Sequence, residues 1–326
     1  MPIASSCTII MFHYVRDLVH SRYPEIKGLD MDSFRWLLDT LQKDYALVTA
    51  EDIGACLDEE KPLPKRACLL TFDDGYIEHY TEVFPELARR GLSGCFYPPV
   101  DAVKREKLLD VNKIHLLLAH NGYTNIDRLL SEFSKAYNRE RLQDPTLPTW
   151  DILWQQFAVA GRFDSAKVIF FKRVLQHALP ADTRTRLCDA LWFKVMEIDE
   201  VTAAREMYVS LDMLRVMARN GMHIGAHGQS HVWWDKIDAA HQVEEITSGL
   251  AMLDVVYEND KYYRSIAYPY GAYNTTTLKI CNEVKVDFCL TTRSDVAQLN
   301  KQMRFVLPRF DVNDVIRSIN EYLYIR

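Results

Sequence analysis

Short apolar runs alternate along the chain with stretches in which apolar residues recur every three or four positions. Each run is four to six residues long and nearly continuous in apolar character, as strands buried on both faces are. Seven runs predict strands at residues 7–12, 45–48, 67–72, 94–97, 223–226, 265–268 and 287–291. Because strands that alternate with helices form parallel sheets, we predict an α/β fold, and seven strands favour a closed barrel over an open sheet.

One long stretch, from about residue 101 to 208, carries only helical patterns. An apolar stripe within it comprises Leu129, Leu130, Phe133 and Tyr137, which share one face of a helix. We therefore predict a barrel built from residues 1–100 and 209–326 and a helical insertion at 101–208. The length of 326 residues alone suggests two domains of about 150 residues each, but this pattern indicates one interrupted barrel.

Composition and charge narrow the class of protein. Lys and Arg number 39 against 45 Asp and Glu, and the resulting net charge of −6 argues against bulk binding to nucleic acid. No apolar run of about 18 residues predicts a transmembrane helix. The first residues lack a basic region, so we expect no signal peptide. The seven cysteines, scattered and without a C-x-x-C spacing, predict buried free thiols and a cytoplasmic protein.

Two adjacent carboxylates end the third predicted strand. Asp73 and Asp74 repel each other, and strand alternation would send them to opposite faces. The following Gly75 allows a sharp turn that would bring both to one site. A surface turn containing Asp-Gly is the alternative.

Two histidines four residues apart follow the fifth predicted strand. Two imidazoles and one carboxylate form a common catalytic metal site, so His227 and His231 are candidate ligands. Two polar loop histidines without a metal are the alternative. A third segment, Tyr268-Pro269-Tyr270-Gly271, predicts by itself only a tight turn.

Together the three segments resemble the motifs of polysaccharide deacetylases of the NodB-homology superfamily, carbohydrate esterase family 4. Residues 71–75 match the first motif, T-F-D-D-G, in full. Residues 227–231 match H-[ST]-x-x-H except at Gly228, and the third motif, R-P-P-Y-G, has lost its arginine and first proline. The late Leu-x-x-His motif is missing. In the branch resembling poly-N-acetylglucosamine deacetylases, the histidine of that late motif is replaced by one from the first strand, and His13 is the matching position here. The same branch has a late L-P-R, which matches residues 307–309.

This resemblance implies a distorted (β/α) barrel of about seven strands and a set of site residues. Asp74, His227 and His231 would hold a divalent metal, expected to be zinc, with cobalt or nickel as alternatives. Asp73 would act as general base and His13 as general acid. The backbone N–H of Tyr270 would face the oxyanion, and Arg309 could orient Asp73 in place of the missing arginine.

One aromatic residue is a further candidate on its own chemistry. Trp233 follows the second metal histidine, where its ring could stack on a sugar face or simply pack.

The predicted function is metal-dependent removal of an N-acyl group, expected to be acetyl, from an amino sugar. The substrate would be an N-acylated sugar, a nucleotide sugar or a glycan intermediate. One alternative is an amidohydrolase acting on a cyclic amide or ureide. Another alternative is a barrel that binds carbohydrate without catalysis. The complete set of Asp73, Asp74, His227 and His231 argues against it.

Overall fold

The computed structural model describes residues 5–58, 61–122, 125–161, 164–258 and 260–324. Each of the three predicted segments, 1–100, 101–208 and 209–326, therefore includes a few positions outside the described residues. The strands are β1 Ser5–Phe12, β2 Val15–Arg16, β3 Leu29–Asp30, β4 Ala46–Leu47, β5 Ala67–Asp73, β6 Cys95–Tyr97, β7 His223–Ile224, β8 Ser265–Ala267, β9 Phe288–Leu290, β10 Ala297–Leu299 and β11 Phe310–Asp311.

Helices follow most of these strands. The α-helices are α1 Met31–Asp44, α2 Ala50–Leu57, α3 Phe84–Arg89, α4 Val100–Lys104, α5 Asp110–Leu117, α6 Ile126–Gln143, α7 Trp150–Phe157, α8 Ala166–Arg173, α9 Ala181–Val195, α10 Glu200–Met207, α11 Leu211–Arg219, α12 Ala239–Tyr257, α13 Thr275–Glu283 and α14 Val312–Tyr324. Short π-helical stretches occupy His79–Val83, Leu118–Gly122 and Val174–Ala178, and 3₁₀ turns occupy Trp234–Lys236 and Pro269–Gly271.

The strands form a ring of parallel neighbours. β1 pairs with β5, β5 with β6 and β6 with β7. A parallel bridge between Ala226 and Ile266 joins the segment after β7 to β8, and β8 pairs in parallel with β9. A second parallel bridge, between Leu290 and Leu307, joins β9 to the segment that precedes β11. β11 then pairs in parallel with β1 and closes the ring. The predicted (β/α) barrel of about seven strands is confirmed.

One barrel strand differs from the prediction. The run at 45–48 forms β4, which, within the described residues, pairs only with Ala67 and Cys68 at the start of β5. The seventh position in the ring belongs to the segment around Leu307 and β11, which hydrophobic patterning did not identify. This segment has no apolar run because Pro308 and Arg309 interrupt it.

Alternation along the strands separates two cores. The inner core takes residues from successive barrel strands: Ile9, Leu69, Cys95, Tyr97, Ala267, Leu290 and Leu307. The outer core joins the other strand face to helix residues: Ile10, Leu70, Phe72, Phe96, Ile224 and Ile266 with Phe34, Leu38 and Leu250. Thr71 and Asp73 share the parity of Leu69 along β5, so alternation places both on the inner face.

The chain divides into two compact units. One comprises Met1–Arg16, Gly28–Arg105 and Arg205–Arg326, and the other comprises Asp17–Lys27 and Glu106–Ala204. The sequence did not separate residues 17–27 from the barrel. In the structure Lys27 forms an ion pair with Asp164, and the Tyr23 ring lies 6.4 Å from that of His120, so this stretch packs within the helical unit.

The predicted apolar stripe on α6 is buried in the helical unit, where Phe133 packs edge-on against Trp150 and Phe171. All seven cysteines are buried and free, as predicted. Across the described part of the chain, no helix combines the length and the apolar character that crossing a membrane requires.

Candidate active site

The two adjacent aspartates reach one site because the backbone turns between them. Asp73 is the last residue of β5. Asp74 adopts a left-handed φ of 72°, which aspartate tolerates better than most residues, and its N–H donates to the carbonyl of Tyr97 at 3.1 Å. We predicted from the sequence that Gly75, whose φ is 68°, makes this turn, but the turn begins one residue earlier, at Asp74.

Three buried side chains form a cluster suited to a metal ion. Nε2 of His227 and Nε2 of His231 lie 3.5 and 3.2 Å from Oδ1 of Asp74. One ligand atom from each residue lies within 4.8 Å of the other two. Oδ1 of Asp74 is buried and makes no hydrogen bond of regular geometry within the described residues. Two imidazole nitrogens and one carboxylate oxygen with an unused lone pair fit a divalent metal.

Hydrogen bonds from neighbouring groups determine which atoms of this cluster can still bind a metal. Nδ1 of His227 lies 2.6 Å from the carbonyl of Ala267, so Nδ1–H donates and Nε2 keeps its lone pair. The hydroxyl of Tyr76 donates to Oδ2 of Asp74 at 2.7 Å, leaving Oδ1 as the ligand atom. Burial, and next the Asp74 carboxylate, raise the pKa of Tyr76 well above its usual value, so Tyr76 remains a neutral donor.

Asp73 is paired with a fully buried arginine. Nη1 and Nη2 of Arg309 donate to the two oxygens of Asp73 at 2.8 and 2.7 Å. Arg309 also donates to the carbonyl of Thr291 at 2.9 Å and to the hydroxyl of Thr71 at 3.1 Å. Burial alone raises the pKa of Asp73, but Arg309 and then His227 outweigh it, so the net pKa is lowered and the carboxylate is ionised.

His13 follows β1 and is half-buried. Its imidazole is close enough to both aspartates to lower their pKa values, after the larger effects of burial and of closer groups. Its carbonyl oxygen lies 2.9 Å from Nε2 of His79. Burial lowers the pKa of His79 to about 4, so His79 is neutral and holds the His13 backbone by one hydrogen bond.

The aromatic candidates lie together beside the second histidine. Tyr270 has a left-handed φ of 57°, and its ring centroid is 4.5 Å from that of His231. Trp233 stacks on Tyr270 with ring centroids 4.4 Å apart and planes 7° from parallel. One face of Trp233 is therefore covered by Tyr270, which agrees with the packing interpretation for that face.

Sequence reasoning missed three residues that contact this site: Tyr76, His79 and Glu245. Tyr76 follows the Asp-Asp-Gly segment directly, and that position was a usable signal. Nothing local marks His79 or Glu245, because their partners, the His13 carbonyl and the 229–230 backbone, are distant in sequence.

In this closed parallel barrel, a carboxylate and two imidazoles converge beside a second carboxylate, an arrangement that could hold a divalent metal and activate water for hydrolysis. The family model described as "Polysaccharide deacetylase" matches residues 192–289, which include His227, His231 and Tyr270. The poly-beta-1,6-N-acetyl-D-glucosamine N-deacetylase of Escherichia coli strain K12 is 36% identical over 80 residues, or 24% of this chain. That match spans 12% of the length of the relative.

Solved structures extend the likeness in fold to most of the chain. The Streptococcus pyogenes deacetylase PplD has a TM-score of 0.57 at 16% identity, covering 94% of this chain and 92% of that one. IcaB from Ammonifex degensii has a TM-score of 0.52 at 16% identity, covering 94% and 91%. At such identities the likeness shows the fold. Together with the motifs, these findings confirm the resemblance to polysaccharide deacetylases of the NodB-homology superfamily.

Proposed function

We propose that this chain is a metal-dependent hydrolase that removes the N-acetyl group from an amino-sugar glycan. The supporting observation is that the Asp74, His227 and His231 cluster lies in the same barrel unit as Asp73, a carboxylate that Arg309 holds ionised and oriented. The same fold in the solved deacetylase PplD agrees with this assignment.

Each residue has a role that its surroundings support. A divalent metal at the Asp74, His227 and His231 cluster, proposed to be zinc, would polarise the acyl carbonyl and acidify a bound water. Asp73 accepts the proton of the attacking water, since Arg309 keeps both of its oxygens fixed. His13 donates a proton to the departing amine, and the backbone N–H of Tyr270 hydrogen-bonds the acyl oxygen.

The proposed substrate class is a glycan containing N-acetylglucosamine. The E. coli relative is named for poly-beta-1,6-N-acetyl-D-glucosamine, so β-1,6-linked oligomers are the first substrate to test. A nucleotide-linked N-acetylglucosamine represents an alternative substrate of the same reaction, and a cyclic ureide represents the amidohydrolase alternative. We also propose a reducing, cytoplasmic location from the seven free thiols, which cell fractionation tests.

The deciding experiment measures acetate and free amine released from these three substrates by native, metal-stripped and metal-restored protein. We expect release from the β-1,6 oligomer only with metal present. Asp74→Asn and Asp73→Asn should each lose more than about 100-fold in rate. Asp295→Asn is the matched control, because Asp295 is exposed and contacts its neighbour's N–H and, in a 3.8 Å ion pair, the exposed Arg293.

Three outcomes would contradict the proposal. Full activity of the metal-stripped protein would exclude the metal mechanism. Turnover of the ureide alone would favour the amidohydrolase alternative. Stoichiometric metal binding without turnover of any acyl sugar would favour a carbohydrate-binding barrel.

A further inference from the structure

The loop between the two metal histidines departs from the family pattern at one position. Gly228 stands where the motif has serine or threonine, and its φ is 73°. A Cβ added there would lie 2.6 Å from Oε2 of Glu245 and 3.0 Å from the ring of Trp234. The place that a serine side chain would need is therefore occupied by the carboxylate of Glu245.

Glu245 projects from α12 and is buried, with 7% of its surface exposed. Its carboxylate accepts hydrogen bonds from the N–H of Gln229 at 2.8 Å and of Ser230 at 3.2 Å. The hydroxyl of Ser230 donates to Oε1 of the same carboxylate. One carboxylate thus binds three donors from the segment that separates His227 from His231.

The carbonyl groups of this loop are held from another element. The oxygens of Gly228 and Gln229 accept from the N–H groups of Val100 and Asp101, at 3.1 and 2.9 Å. On the α12 side, Gly249 lies one turn after Glu245, and a Cβ added there would be 3.6 Å from the Gly228 nitrogen. The missing side chain lets α12 approach the loop closely enough for Glu245 to reach it.

We propose that Glu245 is a positioning residue of the metal centre, acting with the Ser230 hydroxyl in place of the serine or threonine absent at 228. It sets the loop conformation in which Nε2 of His227 and Nε2 of His231 both face Oδ1 of Asp74. A charged acceptor among backbone N–H groups forms strong hydrogen bonds, so the loop geometry depends on the carboxylate charge as well as its shape. This inference rests on the metal site of the proposed function.

The test compares Glu245→Gln with Glu244→Gln, since Glu244 is the neighbouring, exposed carboxylate on α12. Co²⁺ is titrated into full-length metal-free protein against a chromogenic chelator, and the visible absorption of bound Co²⁺ reports ligand geometry. We expect Glu245→Gln to bind Co²⁺ about 10- to 100-fold more weakly with an altered spectrum. Glu244→Gln should match the parent in both measurements.

The melting temperature of each metal-free variant separates positioning from a purely structural role. A structural role would lower that temperature while folded Glu245→Gln kept the parent's Co²⁺ affinity and spectrum, and this result would overturn the proposal. Should Glu245→Gln fail to fold, Ser230→Ala decides the question, because it removes only the hydroxyl. We expect about fivefold weaker Co²⁺ binding in Ser230→Ala, and parental affinity would overturn the proposal.

The same titration distinguishes failure of this inference from failure of the proposed function. If the parent binds no Co²⁺, or if Asp74→Ala binds it as tightly, the metal site itself is wrong. If the parent binds Co²⁺ through Asp74 and Glu245→Gln is unchanged, only the positioning role is wrong.

Discussion

Arg309 and Asp73 form a buried ion pair in which the guanidinium donates four hydrogen bonds, two of them to the carboxylate. Removing two charges from water is costly, and two parallel hydrogen bonds offset that cost only if the partner groups are also satisfied. The Thr71 hydroxyl and the Thr291 carbonyl accept the other two of these hydrogen bonds and hold the guanidinium in place. Arg309 therefore keeps Asp73 ionised and also fixes the orientation of both its oxygens.

Arg309→Lys should keep the positive charge but lose this two-point hydrogen bonding. We expect kcat to fall about 10- to 100-fold, because Asp73, the proposed general base, would be misoriented. Weaker pairing lets burial raise the pKa of Asp73. A base works only when deprotonated, so the acid limb of kcat/KM should move to higher pH. Rates measured across pH test this prediction. Arg35→Lys is the control, because Arg35 pairs with Asp32 at the surface. An unchanged kcat together with an unchanged acid limb would contradict the role assigned to Arg309.

Tyr76→Phe should weaken metal binding while preserving the ring packing. The Tyr76 ring stacks on Tyr14 with centroids 3.9 Å apart, and phenylalanine retains that contact. The substitution removes the hydroxyl that donates a hydrogen bond to Oδ2 of Asp74. We expect affinity for Zn²⁺ to fall about 10- to 100-fold, measured by chelator competition. Tyr80→Phe, a half-buried neighbour that stacks on Phe84, should retain parental affinity.

At the scale of elements, hydrophobic patterning predicted most of the barrel because its strands are buried on both faces. It failed where a strand lacks an apolar run, as between Leu307 and β11, where Pro308 and buried Arg309 stand. The convergence of the metal residues was predicted from the motif resemblance. The left-handed Asp74 was not, and neither was Glu245, since backbone conformation and contacts across the fold leave no local pattern.

Close packing between β6, β7 and β8 makes Gly225 a sensitive position beneath the site. A Cβ added there would lie 2.2 Å from the ring of Tyr97 and 2.6 Å from the hydroxyl of Ser265. Gly225→Ala should therefore lower the free energy of unfolding by about 1–3 kcal/mol through overpacking. Urea denaturation of metal-free protein measures this change. An unchanged midpoint would mean that the barrel interior accommodates the methyl group.

At the scale of the molecule, the candidate metal ligands come from two distant stretches of sequence. Asp74 follows β5 and His227 follows β7, and the β5–β6–β7 pairing brings the carboxyl ends of both strands to one rim. Residues Glu106–Ala204 of the other compact unit lie between them in sequence, whereas its residues Asp17–Lys27 precede both. A cut near the middle of the chain would separate Asp74 from both histidines, so the active site depends on the whole barrel rather than on either half.

Acid stability of the whole molecule should depend on a histidine inside the barrel unit. His223 is buried, with Nε2 2.7 Å from the Ser265 hydroxyl and Nδ1 4.0 Å from the exposed carboxylate of Glu51. Burial lowers the pKa of His223 to about 4, although Glu51 opposes this. Between pH 6.5 and 4 the unfolded chain binds a proton that the folded chain excludes. Stability should therefore fall as pH falls through this window, by up to about 3 kcal/mol for this one group.

His223→Gln removes that titration and should flatten the pH dependence of the melting temperature between pH 6.5 and 4. Part of the slope should remain, because burial also lowers the pKa of His79 to about 4. Calorimetry at a series of pH values measures the slope for parent and variant. His241→Gln, on the exposed face of α12, should leave it nearly unchanged. If His223→Gln kept the parental slope, the acid destabilisation would arise from other groups, because the variant has no imidazole at this position to bind a proton.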